Sequence, residues 1–206
     1  DFRIGVLASG SGTDLQSILD ACERGDIPGK VVVVVTNNPG AKCLERARKH
    51  AADALCIDHR GKKREEHERE VVAALKARNV ELVVLAGYLR IFTPYIVSEF
   101  RGMMINVHPA LLPLFGGKGM HGLKVHNAVL DAGCRISGCT VHFVDESIDG
   151  GPIIAQGCVP VRDGDTPEDL QARVLEEEHR LLPRVVGLIA KGKVRLEVLK
   201  VRVESE

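Results

Sequence analysis

The segment Asn106-Val107-His108-Pro109 sets a carboxamide and an imidazole two residues apart. Alternate side chains of a strand point to the same side, so the amide and the ring face the same space. An amide N–H beside an imidazole suits an oxygen that gains negative charge in a transition state. The same residues also suit a capped strand end, and spacing alone leaves both readings open. Pro109 ends the strand, which predicts that His108 sits at a rim and not in the core. Asp149-Gly150-Gly151 is a second candidate. Asp-Gly is ordinary turn chemistry, but a carboxylate that reached His108 would favour the imidazolium.

A third candidate is Gly10-Ser11-Gly12-Thr13-Asp14-Leu15, which follows the apolar run Phe2–Ala8. A glycine-rich turn that opens a helix presents unpaired N–H groups and the positive end of the helix dipole, a natural phosphate site. Only the first half of the dinucleotide fingerprint is present. Leu15 holds the third glycine position, and Thr36-Asn37-Asn38 offers no acid for a ribose. Binding of a single phosphate and a ligand-free tight turn both remain open. Gly116-Gly117-Lys118-Gly119 lacks the hydroxyl residue of a Walker loop. The histidines form no His-Glu-x-x-His, and His121 and His126 are five apart, which does not suit a helical ligand pair, so no metal is expected. Arg64 and Arg90 are candidate clamps for a carboxylate or phosphate.

The elements that must position these groups alternate. Buried strands are predicted at Phe2–Ala8, Val31–Thr36, Ala54–Ile57, Glu81–Ala86 and Met103–Val107. Helices are predicted from Thr13, over about 41–50, over Arg64–Asn79 and from Pro94 to Phe100, with Thr13 or Asp14 capping the first. Strand–helix alternation with short links means a parallel sheet covered on both faces. The second half changes character, with a glycine-rich loop at Leu114–Gly122 and a helix over Leu123–Asp131. Ser137–Val144 and Ile153–Val161 then alternate partly, as antiparallel additions would. Thr166, with Asp169 three residues on, caps a long helix that is expected to bend or break before Pro183, and Val194–Val203 reads as a last strand and tail. The fold class is α/β: a Rossmann-like, mostly parallel sheet with antiparallel strands in the C-terminal half, read as a single domain over 1–206.

Composition excludes several classes. The 206 residues carry 28 basic and 28 acidic side chains, which argues against a duplex binder that works by neutralising phosphates. Aromatics make up 3%, too few for a single-strand stacking platform. The longest apolar run, Val31–Val35, falls far short of the roughly 20 residues that cross a bilayer. Six scattered cysteines without Cys-x-x-Cys read as buried, reduced thiols in a cytoplasmic protein.

Four segments occur in order: Gly10–Gln16, Leu85–Ile91, Asn106–Pro113 and Asp149–Pro152. Together they resemble the folate-dependent formyltransferases, in particular the branch that acts on glycinamide ribonucleotide, from about Arg3 to Val198. The resemblance implies transfer of a formyl group from 10-formyltetrahydrofolate, as co-substrate, to the ribonucleotide's amine in purine biosynthesis. It implies Asn106, His108 and Asp149 as the catalytic set. It implies Gly12, Thr13 and Asp14 for the phosphate, Glu178 for the ribose hydroxyls, and Gly87 at the same site. For the folate it implies Arg64, Leu89, Arg90, Ile91, Phe92 and Asn106, with the loop Asp145, Glu146, Ser147, Ile148 and Asp149 closing on the pterin. Leu89, Ile91, Phe92 and Val97 would supply the walls. No metal, nucleic acid or membrane partner is implied, and a monomer or homodimer is expected. The chain departs from the family pattern at Asp14, where asparagine is usual, and at Ala110, where serine is usual. Its Phe115–Gly122 loop is also richer in glycine.

Rival readings share parts of this pattern. A 10-formyltetrahydrofolate hydrolase has the Asn-x-His core plus an N-terminal regulatory domain, and a methionyl-tRNA formyltransferase has a C-terminal RNA-binding domain. The length and charge balance are expected to exclude both. A non-catalytic nucleotide-binding module would need the phosphate turn but not Asn106, His108 and Asp149 together.

Overall fold

The computed structural model describes residues 1–198 and 200–204. Runs of β-branched and aliphatic residues form the strands β1 (Phe2–Leu7), β2 (Gly29–Thr36), β3 (Asp53–Cys56), β4 (Leu82–Leu85) and β5 (Met104–His108), all paired in parallel. β6 (Ile136–Phe143) adds antiparallel to β5, and β7 (Ile153–Pro160) adds antiparallel to β6. The seven-stranded sheet has the order β3-β2-β1-β4-β5-β6-β7.

Strand residues alternate between two cores. Ile4, Val6, Leu82, Val84 and Ile105 face one side, against α1 (Thr13–Glu23), α2 (Cys43–Lys49), α5 (Leu123–Asp131) and α6 (Pro167–Ala190). Leu7, Val83, Leu85 and Met104 face the other side, against α3 (Arg64–Lys76) and α4 (Pro94–Glu99). Helices therefore cover both faces, as the strand–helix alternation requires. Each such aliphatic side chain contributes roughly 1.5–3 kcal/mol when it leaves water.

Several boundaries differ from the sequence expectation for physical reasons. α6 runs unbroken to Ala190 with Pro183 inside it. Its apolar stripe, from Leu170 and Val174 to Leu182 and Val186, is buried on the sheet. That burial outweighs the roughly 3 kcal/mol a mid-helix proline costs. Its start is as expected: Thr166 accepts from Asp169 N–H, and Asp169 returns the bond to the Thr166 backbone N–H. In place of the expected last strand and tail, β8 (Val194–Glu197) pairs antiparallel with β9 (Lys200–Val203) in a separate sheet, with Val198 at a left-handed φ of 52°. α3 stops at Lys76, and Asn79, at φ 51°, turns the chain toward β4. Of the cysteines, Cys43 and Cys139 are buried, whereas Cys56 and Cys158 are exposed; all are free thiols. No helix among the described residues is long and apolar enough to cross a membrane.

β2 and β3 lie to one side of β1, and β4 and β5 to the other. The loops that leave β1 and β4 diverge there, and an open α/β sheet forms its ligand crevice at such a point.

Candidate active site

A cavity of about 760 Å³ opens at the carboxyl ends of β1, β4 and β5. It is large enough for a drug-sized ligand. Its lining includes Gly12, Thr13, Asp14, Gly87, Leu89, Arg90, Ile91, Phe92, Asn106, His108, Glu178 and the loop Asp145–Asp149. Every residue that the resemblance assigns to the site lines this cavity except two. Arg64 opens α3 and is exposed, outside the lining, and Val97 is buried in the core beneath α4.

The carboxyl end of β5 supplies the centre. Asn106 and His108 point the same way, and both reach Asp149. Asn106 Nδ2 lies 3.5 Å from Asp149 Oδ1, and His108 Nδ1 lies 3.6 Å from Asp149 Oδ2. His108 is not at a rim: it is only 4% exposed. The chain beyond Pro109 folds back over it, and the Phe115 carbonyl sits 2.8 Å from His108 Nε2. A carbonyl only accepts, so Nε2 carries a hydrogen and Nδ1 is the nitrogen that gains or loses a proton, facing Asp149.

Asp149 is held from another side by the Gly117 N–H, which donates to Oδ2 at 3.0 Å. The glycine-rich loop is therefore part of the site. A Cβ on Gly116 would stand 2.5 Å from Leu112 Cδ2 and 3.3 Å from Asp149 Cβ, which accounts for glycine there.

Sequence reasoning passed over His142. β6 pairs Asn106 with His142 directly across the strands. His142 Nδ1 is 2.9 Å from the Phe143 carbonyl and so donates to it. Its Nε2 then accepts from Asn106 Nδ2 at 3.1 Å. Burial pushes the His142 pKa down, which keeps the ring a neutral acceptor. The alternation Thr140-Val141-His142 on a strand next to β5 was the available signal. His126 of α5 was also missed as a lining residue; it is buried, and burial followed by the nearby His108 lowers its pKa.

At the other end, Gly12 is the N-cap of α1 at φ 72°, and no side chain caps the helix. This corrects the expectation that Thr13 or Asp14 caps it. The left-handed turn favours glycine, and a Cβ would lie 2.8 Å from Cys43 Cβ. The first-turn N–H groups consequently have no side-chain acceptor. Asp14 and Glu178 line the cavity nearby, and burial pushes Asp14 up to about 6. Burial and the Asp14 charge together raise Glu178 well above the usual carboxylate range.

Ser9 ties this turn to the opposite wall. Its N–H donates to the Gly87 carbonyl at 3.2 Å, its hydroxyl donates to Asn37 Oδ1 at 2.8 Å, and that hydroxyl accepts from the Leu89 N–H at 3.2 Å. Leu89 and Ile91 are 65% and 39% exposed, an apolar wall without a cover. In the facing loop, the Asp145 carboxylate accepts from the backbone N–H and the hydroxyl of Ser147. Among the described residues, no cluster of three or more His, Cys, Asp or Glu is gathered to hold a metal ion.

The family model for formyl transferases matches residues 2–186. The chain is 42% identical over 197 residues to the chloroplastic phosphoribosylglycinamide formyltransferase of Arabidopsis thaliana, covering 94% of this chain and 67% of that protein. It is 39% identical over 199 residues to the phosphoribosylglycinamide formyltransferase of Escherichia coli (strain K12), covering 94% and 90% of the respective chains. The crystal structure of glycinamide ribonucleotide transformylase 1 from Symbiobacterium toebii superposes with a TM-score of 0.94 at 44% identity, covering 99% of this chain and 94% of that one. The fold, the cavity at the strand ends and these matches together make the chain a member of the formyl transferase family.

Proposed function

We propose that the protein transfers a formyl group from 10-formyltetrahydrofolate to the amine of glycinamide ribonucleotide, giving formylglycinamide ribonucleotide and tetrahydrofolate. The observation that carries this reading is one continuous cavity with three chemically distinct parts: an uncapped helix start, an Asn–His–Asp centre, and an apolar wall.

The ribonucleotide's phosphate binds the N–H groups of Gly12, Thr13 and Asp14 at the start of α1. Glu178 accepts from the ribose hydroxyls, and Gly87 leaves room beside them. The folate lies along Leu89, Ile91 and Phe92, with its pterin against the 145–149 loop. Arg90 and, farther out, Arg64 attract its carboxylates.

The amine nitrogen attacks the formyl carbon, and a C–N bond forms. The carbonyl oxygen becomes an oxyanion, stabilised by the Asn106 amide and a protonated His108. Asp149 receives the amine's proton. Its Oδ2 is occupied by the Gly117 N–H at 3.0 Å, whereas Oδ1 has only long contacts, 3.5 Å to Asn106 and 3.9 Å to His142. Oδ1 is therefore the basic position. Collapse of the intermediate breaks the bond to the folate nitrogen, which takes up a proton as it leaves.

The unpaired thiols fit a reducing compartment such as the cytoplasm. The test is to mix the protein with 10-formyltetrahydrofolate, with and without glycinamide ribonucleotide, and follow folate absorbance. Turnover only with both substrates is expected. Release of formate without the ribonucleotide would favour a hydrolase, and no turnover in either mixture would refute an enzyme of this class.

A further inference from the structure

The phosphate end of the cavity contains a polar pair that the proposed reaction does not use. Asp14 stands in the first turn of α1, and His179 stands on α6. Asp14 Oδ1 and His179 Nε2 are 3.6 Å apart, and both atoms are buried with no hydrogen-bond partner. A neutral imidazole carries one ring hydrogen, and on Nε2 it would satisfy both atoms, so the pair can hold that hydrogen alone or one proton more. Asp14 borders the main cavity, whereas His179 borders a smaller one of about 320 Å³ on the far side of the α1 start.

The charged and titratable neighbours come from four elements. α6 contributes Glu178 beside His179, and β6 contributes Cys139. α2 contributes Arg46, whose charge acts on His179 and whose Nε donates to the Ser11 carbonyl. α1 itself contributes Asp20, across the smaller cavity with Arg24. Two acids, Asp14 and Glu178, thus already stand where a phosphate dianion would arrive. Like charges at one site cannot all remain ionised without cost, and a proton is the simplest remedy.

We infer that Asp14 and His179 form a specificity-determining pair that takes up one proton when a phosphate monoester binds at the start of α1. The inference rests on the reading of Gly12–Asp14 as the phosphate turn. A phosphate dianion and one solvent proton enter; the dianion keeps its charge, and the proton ends on the Asp14–His179 pair, which changes from an ionised carboxylate beside a neutral ring to the same pair with one hydrogen more. In the ligand-free protein, burial holds Asp14 at about 6, and burial with the Arg46 charge keeps His179 below its ordinary range. Somewhat above neutrality the pair therefore holds only the ring's own hydrogen. An added negative charge raises the proton affinity of both groups. Ligand affinity then falls as pH rises, because the bound state holds the proton more tightly than the free state.

The experiment is isothermal titration calorimetry with ribose 5-phosphate, a probe without the reactive amine. The titration is run near pH 8 in two buffers of different ionisation enthalpy. The probe's own second ionisation, at about pH 6, is then complete. The wild-type protein should take up close to one proton per ligand, and its affinity should fall by as much as about tenfold per pH unit above that point. Asp14→Asn, which carries no charge to neutralise, should bind with uptake near zero and a flat pH profile. His179→Gln should also bind with reduced uptake, which provides a second variant. Binding by the wild type without proton uptake, or uptake in both variants equal to that of the wild type, overturns the proton pair alone. Failure of ribose 5-phosphate to bind at all overturns the phosphate-turn reading and this inference with it.

Discussion

His108 and Asp149 face each other through Nδ1 and Oδ2, 3.6 Å apart, while the opposite ring nitrogen is held by the Phe115 carbonyl at 2.8 Å. With Nε2–H fixed, the ring can gain a proton only on the side of the carboxylate. In the proposed reaction the acid therefore orients the imidazolium and also receives the substrate's proton. His108→Ala should lower turnover by at least about 100-fold, as loss of an oxyanion stabiliser does. Asp149→Asn should cost a similar or larger factor, with substrate KM values little changed. Steady-state kinetics on both variants checks this, and a near-normal kcat in either would remove that residue from the chemistry.

Burial favours the neutral form of His142, and because Nδ1 donates to a carbonyl, its bare Nε2 holds the Asn106 amide. His142→Phe would leave that amide hydrogen without its partner, at a cost of about 1–3 kcal/mol. kcat should drop while KM stays near the wild-type value, and His142→Gln, which can still accept, should recover part of the loss. If His142→Phe leaves kcat intact, Asn106 does not depend on this contact.

Gly12→Ala combines a left-handed φ of 72° with a Cβ 2.8 Å from Cys43 Cβ. The conformation alone costs roughly 1–2 kcal/mol in an L-residue, and the clash moves the turn. The ribonucleotide KM should rise by about tenfold or more, whereas the folate KM should change little. Equal effects on both substrates would show that the turn is not dedicated to one of them.

The Asp14 carboxyl titrates at about 6 in the fold and at 3.8 when unperturbed, so the folded state holds its proton more tightly. Its contribution to stability is present below the unfolded value and is lost as pH rises through the folded value. Above about pH 6, ionised Asp14 is a burden on the order of 3 kcal/mol at most. Asp14→Asn should accordingly raise Tm at about pH 8 and make little difference near pH 4. Thermal melts at the two pH values decide it; a Tm gap that widens toward acid has the wrong sign.

Much of the fold was readable because its signals are local. The run VVVVVT of β2, the capping pair Thr166–Asp169 and the alternation of strand and helix each depend on a few adjacent residues. The hairpin after 193 and the unbroken α6 were not readable, since turn geometry at Val198 and burial around Pro183 are decided by tertiary packing. In the site, Asn106 and His108 were legible from a two-residue period. Glu178 also carried a trace, lying in phase with the apolar stripe Leu170, Val174, Leu181 and so marking an acid on a core-facing position. His142, Phe115 and Gly117 enter through cross-strand pairing and a folded-back loop, which bring together residues distant in sequence. No spacing rule reveals Phe115 or Gly117, and the alternation Thr140-Val141-His142 marks His142 only once β6 is set beside β5.

The hydroxyl of Ser9 has a mechanical consequence. It accepts from Leu89 in one wall of the cavity while its own backbone belongs to the turn before α1. The turn and the apolar wall are thus tied to each other through one residue. A shift of the turn should therefore pass to the apolar wall through these bonds.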